Sequence, residues 1–279
     1  MTQAPIRHSE DGFAVVRHGR GADHRLILRL RHWKLVDRRP RENSLTTAVV
    51  TGAASGIGRA LARALHDRGA GLILADINED ALAAAANPLG ARAVPADVAD
   101  PDAMTALAAA AGEARLVCLN AGVVGPSLGA PWEVPAAEWD RVFAINVAGV
   151  VNGLRAFVPG LLGSGEPAHV LVTASLAGLA VFPGGGAYGP SKHAVAAVVQ
   201  HAAMALEGSA VRISMICPAL VATGMSAEGA DPALVADEAL RAVDDGVFAL
   251  VPPEWRGAVV TQAERLAAGR PPAPPAPAV

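Results

Sequence analysis

The residues best suited to chemistry lie in Ala187-Tyr188-Gly189-Pro190-Ser191-Lys192, with Ser175 upstream. On a helix, Tyr188 and Lys192 are four positions apart and share a face. A phenol is a poor base at neutral pH, because its proton leaves only near pH ~10. A cation beside it favours the phenolate and lowers that value. A hydroxyl from another segment, such as that of Ser175, can orient a carbonyl or carbinol against the phenol. The set is suited to moving a proton on and off an oxygen. A tyrosine and a lysine at this spacing also occur on many ordinary helices, so the elements that would position them carry much of the weight.

The first such element opens at Leu45. Thr46–Val50 is rich in β-branched residues and reads as a buried strand. It runs into Thr51-Gly52-Ala53-Ala54-Ser55-Gly56-Ile57-Gly58, and a helix follows with Ile57, Leu61 and Leu65 on one face and Gly69 as its stop. Glycines between a strand and a helix let the chain turn tightly and let a phosphate approach the N–H groups at the helix start. A second strand, Gly71–Ala75, ends at Asp76. A carboxylate there accepts hydrogen bonds from ribose hydroxyls and repels a 2′-phosphate. Neither Ser55 nor Ile77 offers a cation, so NAD is favoured over NADP.

Strands and helices then alternate. Glu79–Ala86 reads as a helix, Ala91–Ala96 as a third strand, 102–111 as a helix, and Leu116–Leu119 as a fourth strand ending in Asn120-Ala121-Gly122. Small residues at that strand end suit backbone passing close to a dinucleotide. Asp97 and Val98, after the third strand, are placed to border the adenine, while Asp100 is the better cap for the helix from Pro101. Near-continuous apolar strands between helices imply an α/β fold with a parallel sheet covered on both faces.

Composition agrees with one sizeable domain. Of 279 residues, 52% are hydrophobic and 18% charged, and the net charge of −3 gives no reason to expect nucleic acid. Cys118 and Cys217 sit in apolar runs and read as buried thiols of a reducing compartment. No apolar run reaches the ~18 residues a membrane span needs, and the start lacks the apolar core of a secretory signal. A cytoplasmic protein is expected. Residues 1–44 hold ten of the 23 Lys and Arg against five acids. They read as a loosely ordered basic extension dispensable for catalysis; a basic docking arm is the alternative. Towards the C-terminus, Pro232–Asp244 reads as a helix, Val247–Val251 as a last strand and Glu254–Ala267 as a helix; the domain proper is 45–269, and 270–279 is a Pro/Ala-rich tail expected to be disordered.

The Thr51–Gly58 loop, Asn120-Ala121-Gly122, Ser175 and Tyr188-x-x-x-Lys192 together resemble the short-chain dehydrogenase/reductase family. The resemblance covers about residues 45–225, with the motifs in the family's order. It implies a doubly wound (Rossmann) three-layer fold with about seven parallel strands and NAD(P) at the strand C-termini. Asn146, in a long helix from Ala136 to about Val158, matches the family asparagine that holds a water in a proton relay to the lysine. The cofactor would contact Gly52, Ser55, Gly56, Ile57, Gly58, Asp76, Asp97, Val98, Asn120, Ala121, Gly122, Tyr188 and Lys192. Pro218, Val221 and Thr223 would join them from the loop after the strand Val211–Ile216. The family commonly has Pro-Gly in that loop where this chain has Pro218-Ala219, which stiffens it. Family members pair through the helix bearing Tyr188 and the long helix before it, so a homodimer or homotetramer is implied.

The expected chemistry interconverts a secondary alcohol and its ketone. Tyr188 is the general acid/base, Lys192 lowers its pKa and contacts the nicotinamide ribose, and Ser175 stabilises charge on the substrate oxygen. Ser175, Leu176, Phe182 and Tyr188 would meet substrate, with Val123 and Leu220 nearby. No Arg or Lys stands in these stretches, which points to a neutral, rather apolar substrate; no metal site is expected. The alternative is a non-catalytic NAD-sensing or scaffold protein on the same fold; such a protein usually loses part of Asn146, Ser175, Tyr188 and Lys192, and all four are present.

Overall fold

The computed structural model describes residues 47–278. The expected basic extension lies outside them. The first unit is β1 (Thr47–Thr51), α1 (Gly56–Asp67) and β2 (Gly71–Asp76), followed by α2 (Glu79–Ala86), β3 (Arg92–Pro95), α3 (Pro101–Ala111) and β4 (Leu116–Leu119). The second half holds α4 (Ala136–Phe143), α5 (Gly149–Ser164), β5 (Ala168–Thr173), α6 (Tyr188–Ala205), β6 (Val211–Ile216), α7 (Pro232–Asp244), β7 (Ala249–Leu250) and α8 (Arg256–Ala267). The seven strands are parallel in the order β3-β2-β1-β4-β5-β6-β7. The order reverses between β1 and β4, and a crevice opens there at the strand C-termini.

Strand side chains alternate between two cores, as the pleat requires. Val49 and Val117 face one layer with Met104 and Leu107 of α3, Val150 and Phe157 of α5, and Val195 and Val199 of α6. Ala48, Val50 and Cys118 face the other, with Leu61 and Leu65 of α1, Leu82 of α2 and Leu240 of α7. Each fully buried Leu or Val contributes roughly 1.5–3 kcal/mol by leaving water. Cys217 belongs to the first core and Cys118 to the second, so the sheet separates the two free thiols.

Local chemistry sets the boundaries. Asp100 caps α3 by accepting the Asp102 N–H at 2.8 Å, with Pro101 at the first helical position. Asp231 caps α7 in the same way through Ala233, again ahead of a proline. The expected continuous helix from Ala136 is interrupted: Ala144–Ala148 is a π turn between α4 and α5. The wider turn holds one extra residue and rotates Asn146 into the interior. The last strand is shorter than the sequence suggests, two residues against an expected five, and Pro253–Trp255 is a 3-10 turn ahead of α8.

Two expectations need correction. The run Ala136–Ser164 is in fact long and apolar enough, at a mean hydropathy of 1.5, to pass for a membrane span by composition. Here α5 is a core helix, packed on α3, β4 and β6. The tail 270–278 has no regular structure, yet it is not detached. Arg265 Nε donates to the Pro271 carbonyl at 2.8 Å, and the Ala278 N–H donates to the Glu254 carbonyl at 2.7 Å.

Candidate active site

The glycine loop closes over the end of β1. Gly52 has φ +64°, and a Cβ there would lie 2.8 Å from the Ala121 backbone. A Cβ on Gly58 would run into the Gly52 carbonyl. Both positions therefore require glycine, one for its conformation and both for close approach. Ser55 is exposed at the α1 N-cap without a side-chain cap bond, and the first turn of α1 carries no acid. With no acid of its own, that turn is a cradle suited to a pyrophosphate. Gly56 turns against Thr223, whose methyl would be 3.1 Å from a Cβ on that glycine. This brings the expected Thr223 over the loop.

Asp76 does more than the sequence suggests. One carboxylate oxygen accepts the Ala54 N–H and the other the Asn78 N–H, each at 3.0 Å. It braces the glycine loop and still offers lone pairs at the end of β2. Ile57 is half-buried against the α1–α7 core. Asp97 is exposed and accepts the Ala99 N–H at 2.9 Å. Val98 departs from expectation: it is buried, and its Cγ2 packs where a side chain on Gly149 would be. Its backbone, not its side chain, is what can border an adenine.

Three strand ends are tied together by groups that sequence reasoning partly missed. Thr51 Oγ1 accepts the N–H groups of Asn120 at 2.9 Å and Ala121 at 3.2 Å. Asn120 Nδ2 donates to the Thr51 carbonyl at 3.1 Å, and its Oδ1 accepts from Thr173 Oγ1 at 2.9 Å. β1, β4 and β5 thus end in one hydrogen-bonded staple. A hydroxyl at the last position of two strands was visible in the sequence, but no periodicity marks it.

The proton-handling residues converge on Gly122. A Cβ there would sit 3.1 Å from Asn146 Oδ1 and 3.4 Å from Lys192 Nζ. Lys192 is buried and donates to the Thr173 carbonyl at 2.8 Å, with Nζ 5.8 Å from the Tyr188 ring centre. Burial pulls its pKa down to about 8. Ser175, just after β5, is buried; its Oγ accepts the Ala177 N–H at 3.1 Å and lies beside the Tyr188 phenol. The expectation for the phenol is reversed here. Burial raises the Tyr188 pKa, and the Ser175 hydrogen bond offsets this in part.

Asn146 is fully buried and its amide is fully used. Oδ1 accepts the Val123 N–H at 2.8 Å, while Nδ2 donates to the Val123 carbonyl and to Ser191 Oγ, each at 2.9 Å. Ser191 Oγ donates onward to the Tyr188 carbonyl at 2.7 Å. Ser191 lay in plain view between Tyr188 and Lys192, but only the fold reveals that it links α6 to the π turn. Glu138 was also missed: buried, it accepts the Ser127 N–H at 2.9 Å and braces the loop after β4.

The remaining predicted residues are less uniform. Pro218 accepts the Leu176 N–H at 2.9 Å, and Val221 is buried and bridges to Ala230. Leu176 is buried in a 3-10 turn and offers no open side-chain surface, so its expected contact with substrate is not supported. Phe182 is half-buried, edge-on against Trp255. Val123 is half-buried, whereas Leu220 is exposed.

Residues 46–233 match the short chain dehydrogenase family. The chain belongs to that family, and it is an oxidoreductase of the alcohol dehydrogenase/ketoreductase kind. It is 46% identical over 191 residues to a 1-deoxy-11-beta-hydroxypentalenate dehydrogenase of Streptomyces avermitilis, covering 65% of this chain and 70% of that one. It is 34% identical over 207 residues to a 2-(R)-hydroxypropyl-CoM dehydrogenase of Xanthobacter autotrophicus, covering 70% and 82%. A short-chain dehydrogenase/reductase of Burkholderia phymatum, solved in complex with NAD, superposes with a TM-score of 0.77 at 34% identity, over 83% of this chain and 97% of that one.

Proposed function

We propose that this enzyme interconverts a neutral, rather apolar secondary alcohol and its ketone, with NAD preferred over NADP. The observation that carries the reading is Lys192 beside Gly122 with its Nζ 5.8 Å from the Tyr188 ring centre, and Ser175 next to that phenol, at the strand ends where the sheet order reverses. The glycine cradle, with Thr223 over it and Asp76 at the end of β2, fits a dinucleotide. That cofactor, when bound, supplies hydride exchange at its nicotinamide.

The chain's own residues do the rest. Gly52, Gly56 and Gly58 bring backbone N–H groups to the pyrophosphate, with Ser55 and Ile57 alongside. Asp76 accepts from the ribose hydroxyls and repels a 2′-phosphate; no cation stands at Ser55 or Ile77 to offset it. Asp97, Val98, Asn120, Ala121 and Gly122 border the nucleoside, and Pro218, Val221 and Thr223 close its other side. Ser175 holds the substrate oxygen. Tyr188 takes the hydroxyl proton on oxidation and returns it on reduction. Lys192, charged at neutral pH, stabilises the phenolate at the moment it forms. Asn146 holds Val123 and Ser191 in place around Lys192.

The substrate class rests on the loops around Tyr188. Leu128, Trp132, Val181, Leu220 and Met225 leave large apolar side chains exposed on the loops after β4, β5 and β6. Such surface is costly unless something apolar covers it. The two relatives are named for hydroxyl-bearing substrates, which agrees with a CH–OH donor. A homodimer or homotetramer is proposed from the family alone. The test is a panel of secondary alcohols with NAD and with NADP, followed by nicotinamide absorbance. Tyr188→Phe should lose about two to four orders of magnitude in turnover, as expected for removal of a general acid/base, with NADH binding kept. Undiminished turnover in that variant refutes the assignment.

A further inference from the structure

The segment after β7 has no part in the site described so far, yet it touches the approach to Tyr188 at two points. Gln262 of α8 is buried, and its Oε1 accepts the Val181 N–H at 3.0 Å. Trp255, at the start of α8, meets Phe182 edge-on with ring centres 5.6 Å apart at 63°. Both partners belong to the loop between the 3-10 turn Leu176–Gly178 and Tyr188. That loop has no helix or strand of its own and includes Gly184, Gly185 and Gly186. A glycine-rich stretch without a ladder has many conformations to lose, so its position depends on outside anchors. On its other side the Gly186 N–H donates to the Gly129 carbonyl at 3.3 Å. The loop is thus held between the β4 loop and α8.

α8 is in turn held by the tail. Arg265 reaches the Pro271 carbonyl, and the Ala278 N–H returns to the Glu254 carbonyl beside Trp255. A proline-rich run is stiff and has few donors to satisfy, which suits it to lying along a helix. The contacts lead from tail to α8 and from α8 to Val181 and Phe182, in the loop whose Gly185 carbonyl accepts the Tyr188 N–H at 3.1 Å.

We propose that α8 is a strut that sets the position of Val181 and Phe182, and that Gln262 and Trp255 thereby select substrate size, favouring bulky apolar carbinols. The inference rests on Tyr188 as the reacting group of the preceding section. Gln262 and Trp255 are positioning residues; neither touches the phenol.

The test uses the full chain. Gln262→Met keeps the volume and removes the acceptor; Gln262→Glu keeps the acceptor. In Gln262→Met, KM for a bulky secondary alcohol should rise about fivefold, the effect of losing one net hydrogen bond, while kcat, KM for NAD and KM for a small alcohol hold. Amide exchange over 177–187 should quicken, and Gln262→Glu should restore both. Trp255→Ala should lower the preference for bulky over small alcohols by a similar factor. The proposal is overturned if 177–187 exchanges in Gln262→Met as slowly as in the parent. It is also overturned if the bulky-to-small preference is unchanged in both Gln262→Met and Trp255→Ala. Exchange needs no turnover: a parent enzyme inactive on every alcohol refutes the reaction, while the exchange result still decides the strut.

Discussion

Replacing Asn146 with alanine tests how the site is built. The amide makes three hydrogen bonds in a position with no solvent exposure, two to Val123 and one to Ser191. A buried polar group left unpaired costs about 1–3 kcal/mol. The three losses are not equal. Ser191 keeps its donation to the Tyr188 carbonyl, so its hydroxyl loses only an acceptor contact. Val123 is half-buried, so water can reach part of what the amide leaves. Counting the Val123 N–H and carbonyl as the exposed costs, and discounting for water, gives about 2–4 kcal/mol out of a typical 5–15. At about 2–4 °C per kcal/mol for a domain of this size, Tm should fall by roughly 5–15 °C. Denaturant unfolding gives the free energy directly, and circular dichroism gives Tm. Turnover at a temperature where the variant is folded should fall as well, because Val123 follows Gly122 and Lys192 sits against that glycine. A variant within about 0.5 kcal/mol of the parent, the range of neutral surface changes, would refute the claim that this amide holds the π turn to the β4 loop.

Two further outcomes follow from named groups. Asp76→Ala should shift the NADP-to-NAD ratio of kcat/KM towards NADP by about fivefold or more, since a unit charge at close range is worth at least ~1 kcal/mol; an unchanged ratio in steady-state kinetics would show that Asp76 does not face the ribose. His169, buried between β5 and β6 and 2.7 Å from Ser214 Oγ, has its pKa pushed down to about 4, first by burial and then by Arg212. Between about pH 6.5 and 4 the unfolded chain binds a proton that the folded chain refuses. Stability should therefore be intact above pH 6.5 and fall by up to roughly 3 kcal/mol as pH drops to 4. Urea midpoints across that range should decline less steeply in His169→Gln.

Much of the fold was legible because its signals are local and repeated. β1 with its Thr51–Gly58 turn, and α7 between Asp231-Pro232 and Asp244, could be placed because caps, glycines and apolar periods are written within a few residues. The π turn was not legible. Phe143-Ala144-Ile145-Asn146-Val147 scans as ordinary helix, and what opens the turn is the partner offered by Val123, more than twenty residues away. β7 was overestimated for a related reason. Val247–Val251 has strand propensity throughout, but only Ala249 and Leu250 find a ladder on β6.

The site divides along the same line. Ser175, Tyr188, Lys192 and the glycines could be named from type and spacing, because the chemistry demands those groups. The state of the phenol could not, because an i,i+4 spacing gives the distance to a cation and says nothing of the water around it. In the folded chain the ammonium is 5.8 Å from the ring centre, bound to the Thr173 carbonyl and itself depressed to about 8. Burial weakens the hydration of both charged forms, the phenolate and the ammonium. Burial therefore favours the protonated phenol beside Ser175. That arrangement favours Tyr188 as a resident proton donor, ready for a ketone oxygen placed between it and Ser175. In either direction the phenol is ionised at one end of the step, and Lys192 is the cation placed to offset that cost, so removing its charge should lower kcat/KM for alcohol oxidation and for ketone reduction alike.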